Sequence, residues 1–202
     1  MMRTVIQALE ELLARRLVQK GPLVLEEDDE GSTCPSTPLE RSGQAIAIRF
    51  KPWALEGETI KIPTNRWLFS LFEVGANPGV SKSCDYIIFV SLPGDTSKLY
   101  VFLCELKSGS GKGKGKGRGI TAQINNGKLI AEHILNVVRL HGGLQQQVEV
   151  EFRGLIFARK AGGMKGAQRL PGTIQYEVDD ATNLKFLRLR AGDKYLLRAL
   201  CC

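Results

Sequence analysis

The pattern of apolar and polar residues divides the chain into helical and extended segments. Near the start, apolar residues recur every three or four positions, which predicts an amphipathic helix over residues 2–20, ended by Gly21 and Pro22. Its predicted inward residues are Val5, Ile6, Leu9, Leu12, Leu13 and Leu17. Residues 26–43 combine an acidic run with Ser, Thr, Pro and Gly, which predicts a flexible, solvated acidic loop.

Extended segments follow this loop. Alternation over 44–51 predicts a strand, 58–62 a further strand, and 64–73 a short helix. Residues 84–91 and 99–107 are apolar almost throughout, which is typical of strands covered on both faces. The turn containing Pro93, Gly94 and Asp95 joins them into an antiparallel hairpin.

The second half of the chain returns to helix and then to strands. Residues 120–140 predict a helix that closes at Gly142 and Gly143, with inward Ile120, Ile124, Ile130, Ile134, Val137 and Val138. Strands are predicted over 147–160, 173–178 and 184–190, and a brief helix from Asp193. This order predicts an α/β fold, a central mixed β-sheet flanked by helices, in a single domain over 1–202.

The hairpin brings together two carboxylates and an amine. If the turn is centred near Asp95, antiparallel partners have residue numbers that sum to about 190, which places Asp85 opposite Glu105 on one face of the sheet. Lys107 lies two residues further along and shares that face, while Cys104 and Leu106 point the other way. A register shift of one residue would break this arrangement.

Two acids and a lysine at such a position suit phosphodiester hydrolysis. Carboxylate oxygens are ligands that Mg²⁺ prefers, and the bound ion activates water and neutralises charge on a phosphate. An ammonium group nearby can stabilise the developing charge. Acid/base chemistry on a glycoside would leave Lys107 without a role. The simpler alternative is a solvated Glu105–Lys107 pair where the strand leaves the core.

Asp85, followed about twenty residues later by Glu105, Leu106 and Lys107, resembles the motif of the PD-(D/E)XK nuclease superfamily, which has the restriction-endonuclease-like fold. The predicted order of elements is similar to that superfamily's core over roughly residues 1–160. The resemblance implies that Asp85 and Glu105 bind Mg²⁺, with Mn²⁺ able to substitute, and that Lys107 positions or activates the attacking water. Cys84 stands where the motif usually has proline.

Two further residues follow from the resemblance. Members often carry a glutamate on the first core helix as an extra metal ligand; Glu10, Glu11 and Glu73 are the candidates and Glu10 is preferred, although ordinary helix-face charges are the alternative for the first two. Several branches place a glutamine on the helix after the lysine, where this chain has Gln123. A surface residue at the start of a helix is the alternative for Gln123.

A glycine-lysine tract begins directly after Lys107. Glycines fall at every second position of 108–119 and no Gly-Lys-Ser/Thr closes the tract, so it is not a P-loop. We expect a flexible Gly/Lys loop whose cations follow a phosphate backbone; a disordered solubilising loop is the alternative. The cations are Lys112, Lys114, Lys116 and Arg118.

The charge of the chain indicates a polyanionic partner. The net charge is +7, but five of the 21 acids lie together in residues 26–30, so the other residues hold 28 bases against 16 acids, a net charge of +12. A surplus of this size favours nucleic acid over a membrane. Of the two nucleic acids, DNA is the expected partner before RNA. Further basic residues lie within and after the predicted 147–160 strand: Arg153, Arg159, Lys160, Lys165 and Arg169.

Several classes of protein are excluded by composition. Five scattered cysteines without a Cys-x-x-Cys pair argue against a zinc site or a disulfide framework. The apolar runs are too short to span a bilayer, and Glu10 and Glu11 interrupt any signal peptide, so a cytoplasmic protein is expected. The sequence therefore predicts a Mg²⁺-dependent deoxyribonuclease, acting alone, as a homodimer or in a larger complex. The alternative is a non-catalytic nucleic-acid-binding module or a subunit of a defence or repair complex.

Overall fold

A six-stranded mixed sheet lies at the centre of the molecule. The computed structural model describes residues 4–13, 18–19, 22–27, 34–41, 43–49, 83–108, 116–144, 147–159, 174–180 and 182–201. Its strands are β3 (Gln44–Arg49), β4 (Tyr86–Ser91), β5 (Lys98–Lys107), β6 (Glu149–Ala158), β7 (Glu177–Asp179) and β8 (Leu184–Arg190). They lie in the order β3-β4-β5-β6-β8-β7, in which β5, β6 and β8 are parallel and the other neighbours antiparallel. The predicted α/β class with a central mixed sheet is confirmed.

Each face of this sheet is covered by a different layer. Two helices, α1 (Val5–Leu12) and α2 (Lys116–His141), pack on one face with Leu99, Val101 and Leu103 of β5. The other face packs on a small sheet and a short helix, through Tyr100, Phe102 and Cys104. Burial on both faces explains the apolar runs in β4 and β5. The second layer consists of β1 (Leu23–Leu25), β2 (Thr37–Glu40), β9 (Tyr195–Leu196) and α3 (Leu197–Leu200).

The first helix is shorter than predicted. It begins with a capping box, in which Gln7 N donates to Thr4 Oγ1 at 3.2 Å and Thr4 N donates to Gln7 Oε1 at 2.9 Å. It ends at Leu12, which is 43 % exposed and not inward as predicted. Val18 already forms an antiparallel bridge with Ile48, so a helix continuing to residue 20 is wrong. Residues 18–19 are extended backbone and pair with the free edge of β3. Leu17 lies outside the described residues.

The predicted acidic loop over 26–43 is wrong for its last part. Thr37–Glu40 forms β2, which pairs with β1 on one side and β9 on the other. Thr37 and Leu39 are buried while Glu40 is exposed, so a short alternation outweighs the polar composition around it. Residues 28–33 of the predicted loop lie outside the described residues.

The second helix begins earlier than predicted. Its backbone is helical from Lys116, so the predicted 108–119 loop is wrong for its last four residues. Ile120, Ile124, Ile130 and Val138 are buried as predicted, and Ile134 packs on the same core. Val137 is exposed, because the helical period that turns Val138 inward turns its neighbour outward. The helix ends at His141, and Gly143 takes a left-handed φ of 63°.

The remaining elements agree with prediction in kind more than in extent. The strand predicted over 184–190 is β8 to the residue, and the one over 147–160 is β6. Only Glu177 and Val178 of the predicted 173–178 strand belong to β7. The last helix begins at Leu197 and not at Asp193, because the intervening residues include β9. The predicted segments 58–62 and 64–73 lie outside the described residues. Among the residues that the structure describes, no helix has the length and apolar content of a membrane span.

Candidate active site

The register of the β4–β5 hairpin is the one that the turn predicts. Tyr86 pairs with Cys104 and Ile87 with Leu103, so partner numbers sum to 190. In the turn, the Asp95 carboxylate accepts hydrogen bonds from Ser97 N at 3.0 Å and Ser97 Oγ at 2.7 Å. These local bonds fix where the chain reverses, and the reversal fixes which residues meet at the far end of the hairpin.

Asp85 stands at a bend directly before β4 and is tied to the end of β5. Its Oδ2 accepts a hydrogen bond of 2.7 Å from the backbone N–H of Leu106. Since Leu106 separates Glu105 from Lys107, this bond fixes the Asp85 carboxylate beside both residues. The prediction that Asp85 and Glu105 converge at one end of two adjacent buried strands is therefore met by the geometry.

Glu105 is a buried carboxyl group in which only one of the two oxygens accepts a hydrogen bond from the described residues. The side chain is 1 % exposed. Its Oε1 accepts a hydrogen bond from Lys107 Nζ, whereas its buried Oε2 accepts none from the described residues. Burial, then the charge of Asp85, raises the pKa of Glu105 to about 8 against the opposing effect of Lys107. A satisfied structural carboxylate would have both oxygens bonded and a depressed pKa.

Lys107 is partly buried between the strand and α2. Burial lowers its pKa, but the charge and hydrogen bond of Glu105 outweigh this effect, so the pKa is raised and the side chain stays an ammonium ion. Its Nζ also donates to Gln123 Oε1 at 3.4 Å, and Gln123 Nε2 donates to the carbonyl of Ser83 at 3.5 Å. Gln123 therefore joins Asp85, Glu105 and Lys107, and we call these four residues the hairpin site.

Glu27 acts on the hairpin site, and sequence reasoning did not single it out. The Tyr86 hydroxyl donates to Glu26 O and accepts from Glu26 N, both at 3.0 Å, which fixes the end of the segment after β1 against the residue that follows Asp85. The charge of Glu27 contributes to the raised pKa values of both Glu105 and Lys107. No local pattern signals this contact, because it depends on packing between residues 60 positions apart.

The other predicted site residues are not shown in the hairpin site. Glu10 and Glu11 are exposed on α1, and Glu73 lies outside the described residues. Lys112 and Lys114 also lie outside them. Lys116 and Arg118 belong to the first turn of the α2 backbone and not to a loop. Arg153, counted from sequence as basic density, is 4 % exposed and therefore belongs to the interior.

The donor set can be compared with the needs of a metal ion. Within the described segments, no group of three or more His, Cys, Asp or Glu side chains is arranged to hold one. Mg²⁺ is commonly bound through one or two carboxylates and keeps water or phosphate in its other positions. Asp85 and Glu105 provide that number of carboxylates, and the unbonded Glu105 Oε2 is a buried acceptor in need of a cation or donor. The residues present therefore fit Mg²⁺ or Mn²⁺.

Comparison of the chain with known protein families, with curated proteins and with solved structures gives no match. The hairpin site is therefore defined by its own chemistry: two carboxyl groups, of which Glu105 has a pKa of about 8, and an ammonium group that donates to a carboxamide oxygen. Such a set can bind a divalent cation and orient a water molecule or a phosphate oxygen beside it.

Proposed function

We propose that the chain is a metal-dependent nuclease that hydrolyses phosphodiester bonds in DNA, built on the restriction-endonuclease-like core of the PD-(D/E)XK superfamily. The single observation that carries the proposal is the state of Glu105. It is buried beside Asp85 with one unbonded oxygen and a pKa of about 8, an arrangement that costs stability unless a cation compensates it.

The order of elements supports the fold assignment. After α1 and the short strands β1 and β2, the chain forms the antiparallel strands β3, β4 and β5, then α2, and then β6, which is parallel to β5. This order is similar to the order of helix, strands, hairpin, helix and strand that the resemblance implies. The hairpin site lies where β5 ends, before the crossover through α2 begins.

Each residue of the hairpin site has a role in this proposal. Asp85 and Glu105 hold Mg²⁺ or Mn²⁺, which supplies charge neutralisation at the phosphate and a more acidic water. Lys107, held by Glu105 and Gln123, orients the water and stabilises negative charge on the phosphate. Because Glu105 must lose its proton to bind a cation, metal affinity rises with pH until about pH 8.

Charge and position support a nucleic acid as the substrate, and we propose DNA before RNA. The chain outside residues 26–30 carries a net charge of +12, and the tract with Lys112, Lys114, Lys116 and Arg118 starts directly after Lys107. Cations at this position would contact the phosphates that flank the scissile bond. We propose that the reaction takes place in the cytoplasm at the nucleoid, or in the nucleus of a eukaryotic cell. The single chain, a homodimer or a larger complex would carry it out.

A cleavage assay tests the proposal. Single-stranded, duplex and branched DNA, with RNA alongside, are incubated with Mg²⁺ or Mn²⁺. We expect DNA cleavage that falls by roughly a thousandfold or more in Glu105→Gln, Asp85→Asn and Lys107→Ala, as for the loss of groups that stabilise a transition state. Glu149→Gln makes the same chemical change at an exposed position and is the matched control. A wild-type chain that cuts no DNA with either ion contradicts the proposal.

A non-catalytic nucleic-acid-binding module is the second candidate. The observation that favours it is the small donor set, since the described residues provide two carboxylates and no larger group. Such a module, alone or as a subunit of a defence or repair complex, would bind DNA with strong salt dependence. Its affinity would not change on adding Mg²⁺ or on substituting Glu105, which separates it from the nuclease.

A further inference from the structure

At Gly127, helix α2 packs directly against Cys84, the residue before Asp85. A Cβ atom at this position would overlap Cys84 Sγ and would lie 3.4 Å from Cys84 Cβ and 3.6 Å from Leu103 Cδ2. Cys84 is 1 % exposed, and its thiol donates to Tyr86 O at 3.4 Å. The sulfur is therefore held in a packed interior, and only a hydrogen atom at position 127 fits against it.

The same face of α2 carries Gln123. Residues four apart on a helix lie one above the other, so Gln123 and Gly127 both face the segment that leads into Asp85. Gly127 contacts Cys84, while Gln123 bonds to the neighbouring Ser83 and to Lys107. Two contacts, one helical turn apart, thus fix the distance between α2 and the residues Ser83 and Cys84 that precede Asp85.

The two hydrogen bonds of the Gln123 side chain are long and would be lost after a small displacement. Their lengths of 3.4 and 3.5 Å are already at the outer limit of hydrogen bonding. An outward movement of α2 by about 0.5 Å would end both of them. The length of these bonds makes Gln123 sensitive to any group that separates α2 from Cys84.

We propose that Gly127 is a positioning residue, which holds Gln123 against Lys107 by allowing α2 to pack directly on Cys84. The inference rests on the proposed function for its catalytic consequence, and on the contact alone for its structural one. A methyl group at position 127 moves α2 outward and separates Gln123 from Lys107, and removal of the Cys84 sulfur restores the room.

The experiment compares Gly127→Ala, Cys84→Ala and the double variant in the full chain. Misplacement of a catalytic group by ångström distances costs up to about a hundredfold in rate, so we expect Gly127→Ala to lower kcat for DNA cleavage roughly tenfold to a hundredfold. The double variant returns to within about threefold of wild type. In a Gln123→Ala background, Gly127→Ala has almost no further effect, because the two changes act through the same side chain.

A readout without catalysis keeps this inference separate from the proposed function. The nuclear magnetic resonance signals of the Gln123 carboxamide shift in Gly127→Ala and return in the double variant, whether or not DNA is cut. Gly119→Ala, on the same helix with no atom within 4 Å of its Cβ, is the control for a helical glycine-to-alanine change and leaves these signals in place.

Two results overturn the inference. One is a Gly127→Ala chain with wild-type Gln123 signals. The other is a folded double variant in which the signals remain displaced, and this second comparison decides the matter if Gly127→Ala alone fails to fold. Absence of cleavage by the wild-type chain contradicts the proposed nuclease, while the Gln123 signals still test the positioning contact.

Discussion

Strand β5 carries an ionic group at each end, and the two groups differ in how their charges are compensated. At the Lys98 end, Glu151 accepts from Lys98 at 2.7 Å, Arg153 at 2.9 Å and Lys185 at 3.0 Å, and we call these four residues the Glu151 cluster. Burial raises the pKa of Glu151, but the three cations outweigh it and hold the pKa at about 2. At the other end, Glu105 has a pKa of about 8.

Arg153 explains why the Glu151 cluster is structural. Its guanidinium lies 5.0 Å from the ring centroid of Tyr100 and 4.7 Å from that of Tyr176, and it donates to Leu200 O at 2.5 Å and Cys201 O at 3.0 Å. The cation therefore ties β6 to the end of α3 with its hydrogen-bonding capacity well used. A glutamate and a cation thus meet near each end of β5. Both carboxylate oxygens of Glu151 accept hydrogen bonds, whereas only one oxygen of Glu105 does so among the described residues.

The largest expected effect is on stability at the Glu151 cluster. Arg153→Ala removes a donor from two buried carbonyls, of which Leu200 O keeps the Tyr176 hydroxyl at 2.6 Å, and it removes a buried charge partner of Glu151. We therefore expect the free energy of unfolding to fall by about 3–5 kcal/mol. Urea denaturation measures this change. Arg153→Lys keeps the charge but cannot reach both carbonyls, so its free energy of unfolding should lie between those of the wild type and Arg153→Ala. If Arg153→Ala unfolds at the wild-type urea midpoint, the cluster does not hold α3 in place.

At the hairpin site we expect the opposite result, because substitution of its buried glutamate should raise the free energy of unfolding. Native Glu105 keeps its proton up to about pH 8, while the unfolded chain releases it near the ordinary value of 4.5. The native state thus binds more protons between these values, and the metal-free wild type loses stability as the pH rises from about 4.5 to 8. Glu105→Gln removes this loss and should be more stable at pH 8 by about 2–4 kcal/mol.

Thermal unfolding from pH 4 to 9 measures the difference between wild type and Glu105→Gln. Addition of Mg²⁺ at pH 8 should raise the melting temperature of the wild type and leave that of the variant nearly unchanged. Parallel curves for the two proteins over this pH range would show that Glu105 is an ordinary surface-like carboxylate.

The smallest effects are expected from substitution of Glu151 and of the more exposed Lys185. Native Glu151 titrates at about 2 and the unfolded chain near 4.5, so its contribution is present above pH 4.5 and is lost as the pH falls to about 2. Because water screens this partly exposed group, Glu151→Gln should cost about 1–2 kcal/mol at pH 7, and nothing at pH 2. Lys185→Ala, at an exposed member, should cost less than about 1 kcal/mol. Urea denaturation at pH 7 measures both changes. Equal losses in free energy of unfolding for Glu151→Gln and Lys185→Ala would argue against this order of effects.

The central hairpin was predictable because its information is local. A turn at Asp95 and two apolar runs fix the register of β4 against β5, and the register places Asp85 beside Glu105 and Lys107. Gln123, in contrast, was proposed from the resemblance, several branches of which place a glutamine on the helix after the lysine. The part of the site encoded by short sequence separations was therefore accessible to pattern reasoning.

The second layer was not predictable because its strands are too short to show a period. β1, β2 and β9 have three, four and two residues, and they gain stability from partners far along the chain. Gly192 N, for example, donates to Thr37 Oγ1 across 155 positions. Glu27 reaches the hairpin site through this layer, and Gly127 depends on distances between side chains. Neither type of contact leaves a periodic signal in the sequence.

The short chain separations within the hairpin site also have a consequence for folding order. Asp85 and Leu106 are 21 residues apart and Lys107 and Gln123 are 16 apart, whereas Arg153 and Leu200 are separated by 47. Closing the longer loop costs about 0.7 kcal/mol more in chain entropy than closing the loop of 21. Hairpins also form within microseconds, so we expect the residues of the hairpin site to meet early in folding, before the end of the chain docks on Arg153.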